Sequence, residues 1–254
     1  MPPRALQPVG IVLLDKPAGP SSFALVSALR RRTRARTGHA GTLDPFATGL
    51  LVLLSGAATR LAPCFVGLDK RYVTDIDLTS TTSSADRDGD LVEQHAAPSR
   101  AALEQALEPL RGEVELPIPA VSAVKIDGER AYRLARRGIA VEMPVRRSSV
   151  HALEVVSTIG DEDSVTSVRL ALHVGSGTYV RAIAQALGGH CTTLRRTAVG
   201  PFSVDEAATS VDDAELLAVS LTLARLPEEA LERVPANIRA GVLALAGSHD
   251  GAAA

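Results

Sequence analysis

Apolar positions recur along this chain in two periods, every second residue and every third or fourth, and the two alternate without a fixed repeat. "GIVLLDKP", 10–17, reads as a strand ended by Pro17, and "SSFALVSALRRRTR", 21–34, as a helix capped by Ser21 or Ser22 with Phe23, Val26, Ala28 and Leu29 inward. "GLLVLLSG", 49–56, is fully apolar between glycines, and periodicity alone leaves it open between a buried strand and a helix start. "KRYVTDIDL" alternates as a strand does, and the polar "TSTTSSADRDGD" after it reads as a loop closing in a turn. "PSRAALEQALEPLRG" predicts a helix capped by Ser99, with Leu103, Ala106, Leu107 and Leu110 on one face and Gly112 at its end. "IPAVSAVKIDG" reads as a strand and "ERAYRLARRG" as a helix. In "VTSVRLALHV", 165–174, inward Val168, Leu170, Leu172 and Val174 predict a half-buried strand, which delivers the chain into the glycine-rich turn and helix of "GSGTYVRAIAQALG". From about residue 204 the chain is acidic, rich in alanine and leucine and helical in "VDDAELLAVSLTLARL", so it reads as an accessory segment outside the core.

The pattern is that of a mixed α/β protein of the α+β kind rather than a run of βαβ units. With 254 residues, 46% hydrophobic and 22% charged, the chain can bury one large core, or one core with a small appendage. The apolar run Ile11 to Leu14 is stopped by Asp15 and Lys16, so neither a signal peptide nor a membrane span is expected, and the protein is placed in the cytoplasm. Two cysteines, Cys64 and Cys191, form no CxxC pair and read as small apolar fillers, and the six histidines show no ligand spacing, so no metal site is expected.

Charge changes the picture more. The net charge of −2 conceals segregation: residues 1–74 carry ten Lys/Arg against three Asp/Glu and residues 121–203 eleven against seven, whereas residues 75–120 carry three against ten and 204–254 three against nine. A chain partitioned in this way can present a basic face to a polyanion while acidic segments keep it in solution.

Candidate chemistry centres on "GHAGTLDPFATG", 38–49. Pro45 pushes Asp44 toward extended backbone angles and three nearby glycines permit conformations closed to other residues, so the carboxylate is aimed. This segment, with "GIVLLDKPAGPSS", "DKRYV", "IPAVSAVKIDGERAYRLARRG", "GSGTYVRAIAQALG" and "LRRTAVGPF", resembles in order the signatures of the bacterial TruB family, tRNA pseudouridine synthases acting on the T-loop uridine 55; the resemblance covers residues 9–203.

The resemblance implies a pseudouridine synthase fold, a mixed, largely antiparallel sheet flanked by helices, with a catalytic domain over 1–203 and a short segment over 204–254 standing where relatives carry a small β-rich PUA domain. It implies Asp44 as nucleophile, Arg181 as the guanidinium that keeps it ionised, and Tyr72 as the ring that stacks on the uracil and takes the carbon-5 proton. His39 would fill the space vacated by a flipped base, Tyr179 and Leu194 would line the pocket, and Lys16 with Pro17 would support it. Arginines at 30, 31, 32, 34 and 36, at 130, 133, 136 and 137, and at 195 and 196 are candidates for phosphate contacts. The implied partner is the T-arm of tRNA and the expected state a monomer; isomerisation neither oxidises nor hydrolyses, so no cofactor is expected. The alternative is an RNA-binding or RNA-folding module on the same scaffold without chemistry. Between Arg181 and "LRR" the family usually has a longer stretch than the "LGGHCTT" present here.

Overall fold

The computed structural model describes residues 8–122, 124–126, 128–139 and 141–250, side chains excepted at 135–136 and 248–250. In chain order the strands are β1 (Gly10–Lys16), β2 (Thr37–His39), β3 (Thr48–Ser55), β4 (Lys70–Asp77), β5 (Ser80–Thr82), β6 (Leu91–Gln94), β7 (Gly112–Pro117), β8 (Lys125–Ile126), β9 (Glu129–Arg130), β10 (Val145–Gly160), β11 (Val165–Val174), β12 (His190–Val199) and β13 (Phe202–Ser203). The α-helices are α1 (Ser22–Thr33), α2 (Ala62–Val66), α3 (Arg100–Leu107), α4 (Ala131–Arg136), α5 (Val180–Ala186), α6 (Val219–Leu223), α7 (Glu228–Leu231) and α8 (Ala236–Asp250). Contacts divide the chain into two compact units, Met1–Lys70 with Arg195–Ala254, and Arg71–Leu194.

In the first unit β1 and β2 both pair antiparallel with β3, and β3 pairs parallel with β12 at Arg195↔Thr48 and Arg196↔Gly49. Alternation along β1 sends Val12 and Leu14 to one face, where Leu51 and Leu53 of β3 meet Val26 and Leu29 of α1. It sends Ile11 and Leu13 to the other, where Leu50, Val52 and Leu54 pack with Phe65 and Phe202. β3 is therefore buried on both faces, which is why its sequence is unbroken apolar and why its period decided nothing.

Two expectations fail in this unit. Phe23 is 68% exposed: the inward set of α1 is Ser22, Val26 and Leu29, and Phe23 lies one residue, about 100°, off that stripe. The segment from 204 onward is also not peripheral. Leu217 and Ala208 bridge to Ile11 and Leu14 of β1, and Val204, Val219, Leu223, Leu226, Ala230, Val234 and Val242 belong to the main apolar cluster. Its helices are shorter than the pattern suggested, because Leu217 is taken by β1 and α6 begins only at Val219.

In the second unit the strand order is β12 (through Leu194), β4, β11, β10, β7. β11 follows its predicted alternation, with Val168, Leu170, Leu172 and Val174 buried. The helix predicted after Ser99 forms as α3, its Ser99 side chain accepting the Ala102 amide at 3.2 Å. The loop "TSTTSSADRDGD" departs from expectation by opening and closing in a small hairpin, β5 with β6. "IPAVSAVKIDG" is strand only at Lys125–Ile126, paired with β9; the rest of its described residues are bends and irregular chain, with a turn at Gly128.

Candidate active site

In the first unit the backbone around Asp44 is tied at nearly every residue. The Asp44 carbonyl accepts the Ala47 amide at 3.1 Å, closing a reverse turn, and the Asp44 side chain is half-buried at its head. Just upstream, Ser22 Oγ donates to the Leu43 carbonyl and accepts from the Leu43 amide, both at 2.9 Å. Of the paired serines, Ser21 therefore caps α1, accepting the Ala24 amide, while Ser22 fastens the loop to that helix.

Downstream the fastener is Lys16, at the end of β1 and 0% exposed. Its ammonium donates to Pro17 O at 2.9 Å, Pro45 O at 3.1 Å and Ala47 O at 2.6 Å, using all three N–H groups on backbone. Burial brings its pKa down to about 8, the charge of Asp44 opposing that shift and that of Arg196 adding to it. Lys16, expected to support the site, thus lies beneath the turn as a three-point tether.

Arg196 completes the frame and corrects a reading. Far from reaching out to phosphate, it is 1% exposed, and its guanidinium donates to Leu50 O at 2.7 Å, Gly41 O at 3.2 Å and Thr42 O at 3.4 Å. One planar fork thereby joins β3 to the start of the Asp44 loop. The approach needs glycine at 49, where φ is +103° and a Cβ would stand 2.2 Å from the Arg196 carbonyl oxygen. Neighbouring Arg195 is engaged too, bidentate to Asp15 at 3.0 and 2.7 Å. His39 ends β2, half-buried, and burial followed by the charge of Arg196 holds its pKa below the usual imidazole value, favouring a neutral ring. Asp44, His39 and Lys16 are thus brought together on one framework.

Tyr72, Tyr179, Arg181 and Leu194 belong to the second unit. Tyr72 is half-buried on β4 and Leu194 is buried on β12. Tyr179 precedes α5 in extended conformation, half-buried. Arg181 is 2% exposed, and its guanidinium donates to Ser84 O at 2.6 Å and Val121 O at 2.8 Å, with an Asp86 carboxylate oxygen 3.5 Å away. Asp86 is itself buried, accepting from Ser84 Oγ at 2.6 Å and from the Asp88 amide at 3.1 Å.

Sequence reasoning missed Asp86. It stands in a stretch whose three aspartates and three serines look like any solvated turn, and only the bridge of Asp86 to Cys191 carries it inward. Among the remaining phosphate candidates, Arg32 donates to Val211 O and to Ala214 O, the latter at 2.6 Å, and Arg137 pairs with Glu129 at 2.7 Å. The side chain of Arg136 lies outside the described residues. Cys64 and Cys191 are buried thiols not joined in a disulfide. Among the described residues no three His, Cys, Asp or Glu are grouped to hold a metal, and no helix is long and apolar enough to cross a membrane.

A family profile described as TruB family pseudouridylate synthase, N-terminal domain, matches residues 30–180. A protein of Mycobacterium sp. (strain KMS) named tRNA pseudouridine synthase B is 44% identical over 207 residues, 78% of this chain and 69% of the relative. One of the same name from Mycobacterium leprae (strain TN) is 43% identical over 229 residues, 84% and 71% of the two chains. Among solved structures, a crystal structure of a Cbf5-Nop10-Gar1 complex matches with a TM-score of 0.59 and 27% identity over 89% of this chain; the match spans about three-fifths (59%) of that chain's length. A profile covering more than half of the residues, with relatives above 40% identity over most of the length, makes this chain a member of the TruB family of pseudouridylate synthases.

Proposed function

We propose that this protein isomerises uridine 55 in the T-loop of tRNA to pseudouridine, with Asp44 as the nucleophile acting on a nucleotide turned out of its stack. The observation that carries the reading is the tethering of Asp44: Ser22, Lys16 and Arg196 fix the turn on both sides while the carboxylate stays half-buried at its head. Such preorganisation suits an attack that must meet one carbon of a bound nucleoside.

The reaction conserves every atom. The bond from the sugar C1′ to uracil N1 breaks, the base turns while held in the pocket, C1′ bonds to carbon 5, the proton on carbon 5 leaves and N1 gains one. No electron acceptor or water is consumed. In this reading Arg181, itself braced by Asp86, keeps Asp44 ionised, Tyr72 stacks on the base and removes the carbon-5 proton, and His39 occupies the gap left in the RNA. Tyr179 and Leu194 wall the pocket, and Lys16 acts from below, holding the turn.

The test is release of label from carbon-5-tritiated uridine in a tRNA transcript, with Asp44→Asn alongside. Release by the native protein that Asp44→Asn abolishes upholds the assignment. Undiminished release by Asp44→Asn moves the nucleophile elsewhere. No release by either, with tRNA still bound, leaves a module that binds or folds RNA without chemistry.

A further inference from the structure

The solvent face of α1 is unlike an ordinary amphipathic exterior. At about 100° per residue, Phe23, Ser27, Arg30, Arg31 and Arg34 fall within about 100° of one another, opposite the buried Ser22, Val26 and Leu29. Phe23 is exposed, as are the three arginines, and among the described residues none of the three arginines has a carboxylate partner. A single exposed apolar side chain calls for no explanation. One that begins a stripe continuing as unpaired arginines matches the composition of single-strand and backbone recognition, an aromatic plane for a base and guanidinium groups for phosphates.

The stripe also has a direction. Its Phe23 end adjoins Ser22, which holds Leu43 next to Asp44. Arg30, Arg31 and Arg34 follow Phe23 by seven, eight and eleven residues, which at about 1.5 Å each sets them about 10 to 16 Å further along the helix axis. The arginines thus stand apart from the Phe23 end of the stripe, spaced along the helix as for a backbone that continues past the nucleotide at Asp44.

We infer that the outer face of α1 is an RNA track, with Phe23 against an unpaired base beside the target nucleotide and Arg30, Arg31 and Arg34 against backbone phosphates of the duplex that carries the loop. This rests on the proposed function and adds to it how the substrate's stem is held.

Binding of a complete tRNA and of a single-stranded oligonucleotide of T-loop sequence is measured for the native protein, for Arg30→Ala/Arg31→Ala/Arg34→Ala and for Phe23→Ala, across a range of salt. The triple variant is expected to bind tRNA at least tenfold more weakly at low salt, its log–log salt slope shallower by about 2 to 3, one contact being worth about 0.7–0.9. It is expected to bind the oligonucleotide as the native protein does. Phe23→Ala is expected to weaken both RNAs by about tenfold. Unchanged tRNA affinity in the triple variant, or equal losses on both RNAs, overturns the inference. A native protein that binds no tRNA removes the proposed function, and this inference falls with it, whereas a native protein that binds and modifies tRNA while the variants match it defeats the track alone.

Discussion

Arg196 and Gly49 show how narrowly single residues hold the Asp44 loop. Each of the carbonyls of residues 50, 42 and 41 is met by a different nitrogen of the Arg196 fork, a spread that the single nitrogen of a lysine does not reproduce, so at least one buried acceptor would go unmet, at about 1–3 kcal/mol. Arg196→Lys should therefore lower the melting temperature by roughly 4–8 °C, while leaving the salt dependence of RNA binding unchanged; calorimetry and a salt titration check both, and a lost phosphate contact would reverse the pattern. Gly49→Ala combines a left-handed φ with a Cβ 2.2 Å from backbone, so a loss above about 3 kcal/mol is expected by denaturant unfolding. Lys16 supplies the pH dependence. Above about pH 8 its ammonium gives up a proton, one of its three carbonyls loses its donor, and a positive charge near Asp44 disappears. Activity should fall as pH rises through 8. The stability contributed by this group moves the other way: its folded pKa lies below the ordinary 10.5, so the penalty of burying its charge is present below pH 8 and relieved between 8 and 10.5. A rate profile flat to pH 9.5 would contradict the assignment.

At the scale of elements, adjacent serines separate stability from catalysis. Ser21→Ala removes a helix cap and should cost about 1 kcal/mol with little change in turnover. Ser22→Ala frees Leu43 and should reduce turnover at least tenfold for a comparable loss of stability; thermal melts and tritium release on the same preparations distinguish them. These elements also mark what a sequence reveals. β1, α3 and β11 were legible because each has one wet and one dry face, or ends at a proline or a cap. β10 was not: it runs 16 residues with three register shifts against β11, so its inward residues never settle into a period of two. The turn at Asp44 was legible because proline and glycine fix backbone geometry locally. Arg196 and Asp86 were not, since an arginine facing water and one facing three carbonyls have the same neighbours in sequence, and only pairing with β3 or with Cys191 sets them apart.

For the molecule as a whole, the segment after residue 204 is the test of what belongs to the core. It supplies seven buried apolar residues, from Val204 to Val242, to the cluster that also holds Ile11 and Leu54. At about 1.5–3 kcal/mol for each fully buried Val or Leu, the six among them contribute about 9–18 kcal/mol, as much as the roughly 5–15 kcal/mol that a domain holds in reserve. A chain ending at residue 203 should accordingly be insoluble or lack a cooperative melt, and a soluble, cooperatively melting truncation would return the segment to the periphery.

Because β1 is completed by Leu217, Ala208 and the helices beyond them, the first unit joins chain made early to chain made late. At about 5–20 residues per second on the ribosome, Ile11 is made roughly ten to fifty seconds before Val242 arrives to cover it. During that interval the nascent β1–β3 ribbon has a greasy side without its lid, while Arg71–Leu194 already has all its own residues in hand. The order in which this enzyme can mature thus departs from its numbering: the middle can mature first, and the beginning must wait for the end.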